Sequence, residues 1–148
     1  SRIILDSMGR IPISATVFQI NSNTPRTFWV VGKNVPQRKM NIIRKQGVKS
    51  IILTPHKGHF DISKLLNRLS QEKIQSILLE GGSGINGAFL DASAVNKVVC
   101  FIAPKLIGGF KSVSSIGGKG IGSLKQIHQL RKVNHRTIGQ DLLVEGYL

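Results

Sequence analysis

Glu80 is the side chain with the most chemistry to offer. It ends an apolar run, Ile74-Gln-Ser-Ile-Leu-Leu79, and opens the stretch Glu80-Gly-Gly-Ser-Gly-Ile-Asn-Gly-Ala88. If a strand hands over to a helix there, the carboxylate emerges at the C-terminal edge of a sheet, where open α/β sheets bind ligands. The same junction aims free N–H groups and the positive end of a helix dipole at one spot, which suits a phosphate. Gly82, Ser83, Gly84, Ile85, Asn86 and Gly87 fit the G-x-G-x-x-G template, whose glycines allow a tight turn and close approach of a pyrophosphate; Ala88 follows. A dinucleotide fingerprint also wants an acid about twenty residues on to hold the ribose. That region reads Ala103-Pro-Lys-Leu-Ile107, which argues against an ordinary Rossmann NAD site. Two plainer readings stand beside the functional one: a merely tight turn, and Glu80 as a helix-capping acid.

Asp6 and Ser7 end the first apolar segment, Arg2 to Leu5, and occupy the same kind of position. Ser7 could donate to a ribose or phosphate oxygen, and an Asx-turn is the structural alternative. Arg10 would suit an adenosine 2′-phosphate, because a guanidinium meets phosphate oxygens bidentately. His56 and His59 have a spacing that could serve a metal pair, but no third ligand lies nearby, so they read as loop histidines and no metal is expected. His128 and His135 have no acidic partner between them and receive no catalytic role. Neither a Ser-His-Asp order nor an H-x-E with P-C-x-x-C occurs, so hydrolase and zinc-deaminase chemistry are unsupported.

These residues need a frame of alternating strands and helices. Arg2–Leu5, Thr27–Val31, Ser50–Thr54, Ile74–Leu79 and Lys97–Ala103 read as strands, the fourth apolar enough to be central. Helices are expected over Pro36–Gln46, closed by Gly47, after an Asp61 N-cap with Ile62, Leu65, Leu66 and Leu69 on one face, and over about 84–92. The alternation signals parallel strands covered by helices on both faces. Beyond the Gly117–Gly122 punctuation only β signals remain. His128–Thr137 and Asp141–Leu148 are expected to pair as an antiparallel hairpin through Ile138-Gly-Gln140.

A chain of 148 residues fits one domain with a real core. No apolar run approaches the roughly 20 residues a bilayer requires, so no membrane role is expected. Cys100 is the single cysteine, which excludes an internal disulfide and accords with a reducing, cytoplasmic compartment. In Val98-Val-Cys-Phe-Ile102 it reads as a small buried hydrophobe. The net charge of +14 invites nucleic acid, anionic membranes or phosphorylated metabolites. With one Trp and one Tyr there is little material for a single-strand stacking platform, so a small anionic ligand is preferred and a nucleic-acid-binding module is the alternative.

Four segments taken together resemble a known family. They are Arg2-Ile-Ile-Leu-Asp-Ser7 with Arg10-Ile-Pro12, Leu79-Glu-Gly-Gly-Ser83 with Gly87-Ala-Phe-Leu90, Ile102-Ala-Pro-Lys-Leu-Ile-Gly-Gly109, and Ile138-Gly-Gln-Asp-Leu142. In order and spacing they are similar to the C-terminal reductase domain of the bifunctional riboflavin-biosynthesis deaminase/reductase. The resemblance implies a dihydrofolate-reductase-like α/β/α fold with a mixed, mostly parallel sheet and a C-terminal antiparallel hairpin. It implies NADPH-dependent reduction of the ribosyl group of 5-amino-6-(5-phosphoribosylamino)uracil, a phosphorylated pyrimidine, to a ribityl chain. By motif, Glu80 matches a substrate-contacting glutamate, Gly82 to Ala88 the NADP-contacting loop, and Ser7 the NADP contact after its strand. Family members carry further strands, and before them a zinc deaminase domain, ahead of the segment that Arg2 begins. The expectation is therefore that residues 1–148 are the C-terminal part of such a domain, without its first strands and without the deaminase, and that the protein is a homo-oligomer, a homodimer being plausible.

Overall fold

The computed structural model describes residues 1–21, 23 and 25–148. They fall into two compact units, Ser1–Gln75 and Ser76–Leu148, each described by itself.

In the first unit, β1 (Arg2–Asp6), β2 (Thr27–Val31) and β3 (Lys49–Ile52) form a parallel sheet in the order β1-β2-β3. Ile4 lies opposite Trp29 and Val30 opposite Ile51. Every residue of β2 is buried, as the unbroken apolar run Phe28-Trp-Val-Val31 requires of a strand with neighbours on both edges. Two α-helices belong to this unit among the described residues, α1 (Gln37–Lys45) and α2 (Ile62–Gln71). A nine-residue helix is too short to hold itself in water, so α1 depends on packing. Its Met40 and Ile43 join Ile4, Phe18, Trp29, Val31, Val35 and Val48 in one apolar cluster, each such side chain contributing about 1.5–3 kcal/mol. Phe18 meets the Trp29 ring edge-on, with centroids 5.5 Å apart. In α2, Asp61 caps the helix by accepting the Lys64 N–H at 3.0 Å, and Ile62, Leu65 and Leu69 are buried. At its far end Glu72 meets Lys49 of β3 at 2.6 Å, and that hydrogen bond, with the Lys49 charge, holds its carboxyl below the ordinary value.

After β3 the chain reverses through His56-Lys57-Gly58-His59. The His59 N–H donates to the His56 carbonyl, and both central residues lie at positive φ, Lys57 at 48° and Gly58 at 82°. This is a type I′ turn, whose first central position favours Asn because a β-carbon is crowded there. Lys57→Asn is expected to raise stability by about 0.5–1 kcal/mol, read as a higher urea midpoint with unchanged slope.

The second unit contains α3 (Ser83–Asp91) and an antiparallel sheet of β4 (Lys97–Ile102), β5 (Arg131–Ile138) and β6 (Asp141–Tyr147) in the order β4-β6-β5. Ile138 pairs with Asp141, so the expected hairpin closes through two residues. Gly139, at φ 61°, takes the first position, as a type II′ turn demands.

One expected element is absent. Ile74–Leu79 forms no strand: no ladder pairs it among the described residues, the Ile74 N–H donating instead to the Leu69 carbonyl, and Leu78 is 81% exposed. Apolar character marks a segment that could be buried in a sheet, but a strand exists only where a neighbour offers a ladder. Parallel and antiparallel pairing therefore occur in two separate three-stranded sheets. No helix among the described residues is long and apolar enough to cross a membrane.

Candidate functional site

The residues expected to act lie in both units, Ser7 and Arg10 in the first, Glu80 and residues 82–88 in the second.

Ser7 sits where β1 ends, at the C-terminal edge of the parallel sheet. Its carbonyl accepts the Gly32 N–H at 3.1 Å, and its hydroxyl donates to the Gly58 carbonyl at 2.6 Å. The loops that follow all three parallel strands thus meet at this residue. Gly32 has to be glycine, because a β-carbon there would stand 2.4 Å from the Ser7 carbonyl oxygen. With its proton directed at Gly58, the Ser7 hydroxyl oxygen offers a ligand lone pairs. Asp6 does not form the Asx-turn offered as the structural alternative: its buried carboxylate accepts the N–H groups of Arg10 and Ile11, four and five residues on, and so ties down the loop. His56 and His59 are joined through their backbones in the turn, with exposed side chains, and no group of three or more metal-ligating residues occurs among the described residues.

In the second unit the glycine motif divides by function. Gly82 is the N-cap of α3 without a capping side chain, and the Ser83 and Gly84 N–H groups, in the first turn, have no intrahelical acceptor. A β-carbon on Gly82 or Gly84 would meet nothing within 4 Å, and neither residue has positive φ. Neither packing nor conformation requires glycine at these two positions. Gly81 and Gly87 are different. A β-carbon on Gly81 would come 2.8 Å from the Ile85 side chain, and one on Gly87 would lie 2.2–2.4 Å from the backbone of Gly117 and Gly118.

That second contact belongs to a segment the sequence marks only as punctuation. Residues 114–119 lie along α3: Gly117 N–H donates to the Ser83 carbonyl, Asn86 Nδ2 to the Ser115 carbonyl, and Lys119 N–H to Asp91, while the Ser83 and Ser114 hydroxyls are 3.1 Å apart. Ser83, Asn86 and Gly87 are therefore engaged inside the unit, Ile85 and Ala88 are half-buried, and Gly82 and Gly84 form the open part of the loop. No local pattern in the sequence marks Gly117-Gly118 as the partner of Gly87.

Glu80 is exposed and makes no hydrogen bond or ion pair with any described residue. Most of the chain's seven acids are occupied: Asp6, Asp61 and Asp91 accept backbone N–H groups, and Glu72 and Glu145 pair with lysines. Glu80 is not acting as the cap of α3, since that helix has no side-chain cap.

A parallel sheet connected by helices and a glycine turn opening a further helix define an α/β class of protein, and the comparisons narrow it. Residues 1–144 match the family model described as the RibD C-terminal domain, and the chain belongs to that family. It is 33% identical over 144 residues to the riboflavin biosynthesis protein RibD of Actinobacillus pleuropneumoniae, covering 97% of this chain and 38% of that protein. It is 29% identical to a 2,5-diamino-6-ribosylamino-4(3H)-pyrimidinone 5′-phosphate reductase of Aquifex aeolicus, covering 97% of this chain and 62% of the relative. The chain thus spans just over a third of the first relative's length and a little under two thirds of the second's. Among solved structures, Acinetobacter baumannii RibD superposes with a TM-score of 0.73 at 24% identity, over 99% of this chain and 37% of that one. The riboflavin biosynthesis reductase Rib7 of Saccharomyces cerevisiae gives 0.70 at 19%, over 98% and 67%. The fold is accordingly α/β and dihydrofolate-reductase-like, as the four sequence segments implied.

Proposed function

We propose that this chain forms part of an NADPH-dependent reductase of riboflavin biosynthesis, reducing the ribosyl group of 5-amino-6-(5-phosphoribosylamino)uracil to a ribityl chain. The observation that carries the reading is the pair Gly82 and Gly84, exposed glycines at an uncapped helix N-terminus that the chain's own packing does not require. The absence of side chains there leaves room for a ligand backed by the Ser83 and Gly84 N–H groups, and a dinucleotide phosphate fits that room. Family membership supports the same reading, as does the charge of +14, which favours a phosphorylated cofactor and substrate. We further read the protein as cytoplasmic and as a homodimer.

When bound, NADPH supplies a hydride for C1 of the substrate's opened ribose. The chain's own residues bind and orient: in the second unit Gly82 and Gly84 leave the turn open to the cofactor and Glu80 contacts the ribose, and in the first unit Ser7 is a cofactor contact. The test is a titration of the full polypeptide carrying this sequence with NADPH and NADH, followed by oxidation of NADPH on adding substrate. NADPH is expected to bind more tightly, and no affinity for either nucleotide would remove the reading.

Gly84 supplies a sharper result. Glycine inside a helix costs roughly 0.5–1 kcal/mol relative to alanine. Gly84→Ala should therefore stabilise the protein slightly, because nothing obstructs the added methyl. The same methyl should weaken NADPH binding, and Gly84→Val should abolish it. A Gly84→Val variant that binds NADPH normally would show that no ligand approaches this turn.

A further inference from the structure

The loop Ser7–Ile11 is held from two sides by charged groups that have no part in the proposed chemistry. From beneath, the Asp6 carboxylate, 7% exposed, accepts the Arg10 N–H at 2.8 Å, the Ile11 N–H at 3.1 Å and the indole N–H of the fully buried Trp29 at 3.3 Å. From α1, the Lys39 ammonium donates to the carbonyls of Gly9 and Ile11 and lies 5.9 Å from the centre of the Trp29 ring. One charge thus collects N–H groups of the loop and the other collects its carbonyls, and neither forms an ion pair among the described residues. Gly9, at φ 63° against the Val35 methyls, completes the bend.

A buried carboxylate is costly to desolvate, and this one is spent on a loop whose outer residues cover no core. Met8 is 61% exposed, and Arg10 is exposed with no side-chain partner among the described residues. Gly9 packs against Val35 and Ile11 against the core, so Met8 and Arg10 are the outward residues, and order imposed on them is order available to a ligand, since a loop fixed in advance loses no freedom on binding. Ser7 on the same loop stands at the sheet edge already assigned to the cofactor. We propose that Asp6 and Lys39 are positioning residues that hold this loop so that the Arg10 guanidinium meets the 2′-phosphate of NADPH. The role rests on the reductase reading and explains how that reading would distinguish NADPH from NADH.

The decisive measurement is nucleotide selectivity in the full polypeptide. Wild type is titrated with NADPH, NADH and 2′,5′-ADP, then Lys39→Met, Lys39→Arg and Arg10→Gln are titrated likewise. Lys39→Met should lose about tenfold in affinity for NADPH and 2′,5′-ADP while affinity for NADH stays the same, and Lys39→Arg should restore most of the loss. Arg10→Gln should reproduce the loss without touching the clamp, which keeps the test alive if a Lys39 variant folds poorly. Equal losses for NADPH and NADH would reduce Lys39 to a structural residue, and unchanged selectivity in Arg10→Gln would overturn the proposal while leaving the reductase reading intact. A wild type that binds no nucleotide at all would overturn the reading and this role with it.

Discussion

Gly87→Ala is expected to lower the melting temperature by roughly 10 °C, the equivalent of about 3 kcal/mol for a chain of this size. Two effects oppose each other at this position. Alanine is the better helix former by up to about 1 kcal/mol, which would favour the variant. Against that, the new β-carbon would lie 2.2–2.4 Å from the carbonyl carbon and oxygen of Gly117 and the nitrogen of Gly118. Those are backbone atoms, so no rotamer change relieves the clash. The segment must move away, and in moving it stretches Gly117 N–H to Ser83, Asn86 to Ser115 and Lys119 N–H to Asp91. Steric cost therefore exceeds the propensity gain. The contrast with Gly84 makes the measurement specific, because alanine three residues earlier on the same helix should raise the melting temperature instead. Equal shifts for the two variants would mean that residues 117–118 do not lie on α3.

The different fates of these glycines show where sequence reasoning reaches. Elements set by local signals were legible: the Asp61 cap of α2, the apolar run of β2 and the Gly139 turn each carry their physics within a few residues. Ile74–Leu79 was misread because its composition reports a tendency to be buried, whereas pairing depends on a partner elsewhere in the chain. The site divides along the same line. Glu80 and the glycines were singled out as a strand-to-helix junction, but only the helix formed, so Glu80 does not stand at the edge of a sheet. The Asp6–Lys39 clamp joins residues 33 positions apart, and the packing of residues 114–119 on α3 spans some thirty positions, so no local pattern could announce either. A motif of glycines states that side chains are absent; only the fold separates those absent for packing from those absent for a ligand.

Glu80 carries the largest expected effect on activity. A carboxylate that is exposed, unpaired among the described residues and unused as a helix cap has no structural employment that its removal would disturb. Glu80→Ala should therefore leave the melting temperature within about 0.5 kcal/mol of wild type, as surface substitutions do. If Glu80 holds the substrate ribose through hydrogen bonds to a charged group, each worth about 1.5–3 kcal/mol, kcat/KM should fall by roughly 10–100-fold. The dissociation constant for NADPH should not change, since the glycine turn and Ser7 are intact. Glu80→Gln keeps one acceptor and the length of the side chain, and should lie between the two. Proton delivery gives another pattern: Gln would then be as damaging as Ala, with kcat reduced about 10²–10⁴-fold. Normal kcat/KM in both variants would remove Glu80 from the site. The partial effect of Gln is the expected outcome, because a residue that orients substrate tolerates loss of charge better than loss of contact.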